Sequence, residues 1–119
     1  MKKIVFAIAL MMASTLGALA EDNSVNKVEA YTLNINTRSL SRTLSLSLDQ
    51  EEICSDVIKE FENDMLFAAS NSSNESRKAV TKNAVDKNLR YMKMFLSEKQ
   101  YKKYVMLLNA TLANRGIKF

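Results

Sequence analysis

The sequence predicts an all-α protein: a small helical bundle or helical hairpin of three long helices plus one short helix. Three observations predict it. Helix breakers are nearly absent, since the 119 residues contain no Pro and two Gly. Tight β-hairpins need residues of positive φ, supplied by Asn-Gly, Asp-Gly or Gly-X, and the chain has no Asn-Gly or Asp-Gly. Capping signals precede runs in which apolar residues recur every three or four positions, the period of an amphipathic helix. The length suits a single domain.

Residues 1–20 read as an export leader rather than as part of the fold. Lys2 and Lys3 precede an uncharged apolar run over 4–16, and Ala18 and Ala20 put small residues at the −3 and −1 positions of a cleavage site before Glu21 and Asp22. This pattern is a secretory signal peptide. The competing reading, a membrane anchor, has 17 residues for a span that needs about 20. Cutting after Ala20 leaves residues 21–119, with no further stretch able to span a bilayer. The expected location is exported, in the periplasm or outside the cell.

Residues 21–36 form the next unit. Tyr31, Leu33 and Ile35 alternate with Thr32, Asn34 and Asn36. A lone period-two run has no partner strand, so an extended or disordered N-terminal arm is expected. The single helical domain covers 37–119. A short helix over 37–46 has Leu40 and Leu44 on one face and Thr37 as its N-cap.

Leu46-Ser47-Leu48-Asp49-Gln50 is a capping box: the Ser47 hydroxyl takes the Gln50 N–H and the Gln50 side chain reaches back to the Ser47 N–H. Ile53, Val57, Phe61, Met65 and Ala68 continue from it as a stripe to about Ser70. The cluster at 70–74 is the one turn-like stretch, with Ser72 and Glu75 at capping-box spacing. Val80, Ala84 or Val85, Leu89 and Met92 carry a helix over about 74–95. A third box, Ser97 with Gln100, opens the last helix, where Tyr101, Tyr104, Val105, Leu108 and Leu112 line one face. Gly116 suits the left-handed position after the helix, and Ile117 can fold back on Leu112.

The composition excludes familiar chemistry. With no His and one Cys, Ser-His-Asp and Cys-His sites and the usual zinc sites are out. No metal or cofactor is expected, and the protein reads as no enzyme. Glu60 and Asp64, four apart, could form a carboxylate pair, and Glu51, Glu52, Asp56 and Glu60 could meet a divalent cation. Neither has a cleft or loop to support it. Cys54, among apolar neighbours, reads as a small buried hydrophobe, with an intermolecular disulfide as the alternative.

Charge is split along the chain. Residues 21–64 carry 4 basic and 10 acidic side chains; residues 65–119 carry 11 basic and 3 acidic. Arg77, Lys78, Lys82, Lys87, Arg90, Lys93, Lys99, Lys102 and Lys103 could form a surface for an anionic partner, or a solvated face neutralised by the acidic helix before it. An exported chain is not expected to meet nucleic acid. Met92, Met94, Met106, Tyr91, Phe95, Tyr101 and Tyr104 could line an adaptable apolar cradle or simply fill the core. Met92 and Tyr104 lie on the core stripe, whereas Met94 and Met106 fall off it.

Two L-S-x-x-Q boxes fifty residues apart resemble the paired L-T-x-x-Q motifs of the periplasmic Spy and CpxP family, with Ser keeping the capping hydroxyl. That resemblance implies an ATP-independent chaperone or envelope-stress partner. The strings over 83–92 (NAVDKNLRYM) and 100–116 (QYKKYVMLLNATLANRG) resemble a family of small secreted proteins from Gram-negative gut bacteria, which implies a location rather than an activity. The expected function is therefore interaction with unfolded clients, through Met94, Met106, Lys99, Lys102 and Lys103. The alternative is a structural or regulatory envelope subunit that binds one dedicated partner or an anionic component through its basic helices. The core is modest at this length, and a homodimer would enlarge it.

Overall fold

A computed structural model of the protein describes residues 24–117 and 119. The leader expected over 1–20, with Ala18 and Ala20, lies outside the described residues. The chain is all-α: α1 (Ser24–Tyr31), α2 (Thr37–Leu44), α3 (Leu48–Ala69), α4 (Asn74–Phe95) and α5 (Glu98–Asn114), with no strand among the described residues. Two short helices, rather than one, accompany the three long ones. The antiparallel pair α3 and α4 makes the most extensive packing; α1 and α2 lie against α3, and α5 lies against α4 and α2.

The core phase of α3 differs from the expected one. Cys54, Ile58, Phe61, Met65 and Ala68 are buried, which is an alternating 4–3 spacing with a mean of 3.5, close to the helical repeat. The 4–4–4 series through Ile53 drifts off the face. Ile53 is exposed and Val57 only half-buried. In α4 the buried face includes Arg77, Thr81 and Asn88 beside Ala84, Val85 and Met92. In α5 it is Tyr104, Leu107, Leu108, Thr111 and Leu112. The Tyr104 hydroxyl donates to Asn88 Oδ1 across the core.

The N-terminal segment is not a loose arm. Residues 24–31 are helical, and Tyr31 and Leu33 are buried. Only the stretch after Tyr31 keeps the period of two, with Leu33 inward, Ile35 half-buried and Asn34 and Asn36 outward. Two charged side chains fix it. Arg115, itself buried, donates from Nη1 to the carbonyls of Ala30 and Thr32, both at 3.0 Å, and from Nη2 to that of Leu33 at 3.2 Å. Glu62 accepts the Ile35 N–H at 2.8 Å. A guanidinium at the C-terminal end of α1 meets the negative end of the helix dipole. Burial lowers the Arg115 pKa from its ordinary value.

The termini sort into confirmed and shifted caps. Ser47 with Gln50 and Ser97 with Gln100 both form complete capping boxes. Gly116 has φ +73°, and the bonds Gly116 N–H to Ala113 O and Ile117 N–H to Leu112 O, each 3.0 Å, make a Schellman closure. Ser72 and Glu75 do not cap α4. Ser73 does, accepting the Ser76 N–H at 3.0 Å. Asn36, not Thr37, caps α2. The end of α2 repeats the Schellman bonds without a glycine: Ser45 takes φ 58°, its N–H reaches Arg42 O and the Leu46 N–H reaches Ser41 O.

Candidate functional site

The two capping boxes meet. Gln50 Nε2 donates to Gln100 Oε1 and to Phe95 O, both at 2.9 Å. Gln100 Nε2 donates to Gln50 Oε1 at 3.3 Å and to Ser45 O at 3.2 Å. Each bond maps onto its counterpart by a shift of fifty residues. Each glutamine thus closes its own box and holds the other, and the N-termini of α3 and α5 sit side by side about a local two-fold. Cys54 and Tyr104, also fifty apart, are both buried close behind it. Desolvation first, then the Glu51 carboxylate, pushes the Cys54 thiol up to about 12. At neutral pH it is a protonated, enclosed hydrophobe rather than a nucleophile.

The outer faces of these two helices differ in charge. On α3, Asp49, Glu52 and Asp56 are exposed; the positions related by fifty on α5 are Lys99, Lys102 and Met106, also exposed. Lys103 is half-buried beside them. Spacings of three and four put Lys99, Lys102, Lys103 and Met106 on one helix face. Met106 is 57 % and Met94 is 79 % exposed, so neither belongs to the core. Met94 shares the outer face of α4 with Arg90, one turn earlier. Lys93 lies over the Tyr101 ring at 5.8 Å, joining the end of α4 to the start of α5.

The other basic residues are dispersed. Arg77 is no surface group: it is buried and donates to Asn71 O at 2.6 Å and to Asn74 Oδ1, closing the α3–α4 turn. Lys82 pairs with Asp86 on its own helix. Lys87 bridges Glu60 at 2.7 Å and Asp64 at 3.0 Å, which raises its pKa. That bridge occupies both members of the conceivable carboxylate pair. It is also the extent of neutralisation between α3 and α4: Asp49, Glu52, Asp56, Lys99, Lys102 and Lys103 make no ion pair with any described residue. No group of three metal-ligating side chains converges among the described residues.

A groove of about 250 Å3 runs between α3 and α4, lined by Asp64, Phe67, Val80, Asn83, Ala84 and Lys87. Phe67 stands 64 % exposed at its rim. None of the described helices is long and apolar enough to cross a membrane. No protein-family model, curated protein or solved structure matches the chain.

Sequence reasoning placed Met94 and Met106 off the core stripe and Lys99, Lys102 and Lys103 on a polar face. It did not place Phe67 or the Gln50–Gln100 pair. The signal for that pair was present, in two identical spacings of Leu, Ser and Gln.

Proposed function

We propose that the chain is an exported, non-enzymatic interaction protein that holds unfolded segments of other proteins without ATP. The observation that carries this reading is the exposure of Met94 and Met106 on the outer faces of α4 and α5. Methionine is unbranched and polarisable, so it adapts to varied apolar partners. Cations beside it add attraction for acidic chains without demanding one sequence. The polar caps and ion bridges hold the helices while those side chains remain free. The leader-like residues 1–20 support export, with cleavage after Ala20.

The test is aggregation of several unrelated denatured proteins, followed by light scattering with and without the purified chain, in the absence of nucleotide. Suppression is expected at near-stoichiometric ratios, and Met94→Gln with Met106→Gln should remove most of it while leaving the helical circular dichroism unchanged. Unaltered scattering for every client would sink the reading. One co-purifying protein in that case would establish the dedicated-partner alternative.

A further inference from the structure

We infer that the acidic outer face at the start of α3 is a docking surface for a second copy of this chain, which presents the basic outer face at the start of α5. The two faces are complementary in charge. Asp49, Glu52 and Asp56 occupy three exposed positions on α3, and the positions fifty residues later hold Lys99, Lys102 and Met106. The Gln50–Gln100 bonds fix both faces at the same end of the bundle. Neither set of charges is paired with any other described residue. Ile53 adds a 45 % exposed apolar side chain to the acidic face, and Met106 adds one to the basic face.

Such a contact joins two different patches. Both patches lie at the same end of the bundle, so a reciprocal two-fold dimer satisfies the contact twice, while one contact per copy extends head to tail. Its surface charges make it sensitive to salt, because the Debye length is about 10 Å at 0.1 M and about 3 Å at 1 M. Met106 serves clients in the proposed activity, so a bound copy and a bound client compete for it. The association is read by mass rather than by holdase activity, so its failure is distinct from failure of the proposed activity.

The experiment is sedimentation equilibrium of the purified protein across concentration at low and high salt. Two charge-reversed variants are included: Glu52→Lys with Asp56→Lys, and Lys99→Glu with Lys102→Glu. All four positions are exposed, and circular dichroism checks the fold. The expected wild-type weight-average mass rises at least two-fold above the monomer at low salt and returns to the monomer at high salt. Each variant alone should remain monomeric, and an equimolar mixture of the two should recover the two-fold rise, since one then offers only basic and the other only acidic faces. A wild type that stays monomeric throughout, a variant that still associates, or a mixture that does not would each overturn the inference.

Discussion

Breaking the link between the two capping boxes tests whether they act as one unit. Gln50→Ala removes the back-bond to the Ser47 N–H, the bond to Phe95 O and the glutamine pair; Gln100→Ala removes the back-bond to the Ser97 N–H, the bond to Ser45 O and the same pair. A hydrogen bond contributes about 0.5–1.5 kcal/mol net. The box and carbonyl bonds are at partly exposed sites where water can replace them, so each counts at the low end. Each single variant should then lose about 2 kcal/mol. The double variant loses the shared pair only once. Its loss should fall short of the summed singles by about 1 kcal/mol, the size of coupling expected for residues in direct contact. Urea unfolding followed at the helical circular dichroism band gives all three values. If the double equals the sum within about 0.3 kcal/mol, the boxes are independent caps and the local two-fold contributes nothing to stability.

Four further outcomes follow from the same geometry. Ser45→Gly should stabilise the protein by about 1 kcal/mol, because a non-glycine residue is disfavoured in the left-handed region and only the Ser45 backbone is used as an acceptor; a lower thermal midpoint would contradict this. Gly116→Ala should destabilise by about 1 kcal/mol through φ alone, since no atom crowds a Cβ there, and Gly116→Val should cost more. Arg115→Met should cost about 3 kcal/mol by stripping a buried charge partner from its carbonyls, and hydrogen exchange should quicken first over 29–35. The contribution of Cys54 to stability should be constant below about pH 9 and be lost as pH rises toward about 12: its pKa goes from 9.0 to about 12 on folding, so the native state retains a proton that the unfolded chain gives up. Cys54→Ala should flatten part of that slope; Tyr104, raised by burial, and Lys87, raised by its bonds to Glu60 and Asp64, supply the rest.

What was legible in the sequence was what neighbours along the chain determine. Ser47 with Gln50 and Ser97 with Gln100 are three residues apart, and Gly116 acts on the four residues before it, so local chemistry fixes each. Asn36 and Ser73 were missed by one position because adjacent residues, Thr37 and Ser72, offer equivalent oxygens; the packing of the loop chooses between them. The phase of α3 was missed because Ile53 is the more apolar residue, yet the 3.5-residue mean spacing required to stay on one face selects Cys54. Helix α1 was hidden for a different reason. Its fixing partners are Arg115 and Glu62, far along the chain, and a charged residue near a C-terminus gives no sign that its acceptors will be carbonyls of the other end. The exposure of Met94 and Met106 was readable as a contrast with the core stripe.

The Arg115 clamp also sets an order of events for a chain made from one end to the other. The carbonyls of residues 30–33 are made early, but the guanidinium that gathers them lies more than eighty residues later. Contacts between such distant positions form late, after loop closure has been paid for by nearer ones. The first described helix is thus the last to be fastened, and no truncation that stops short of residue 115 can fasten it.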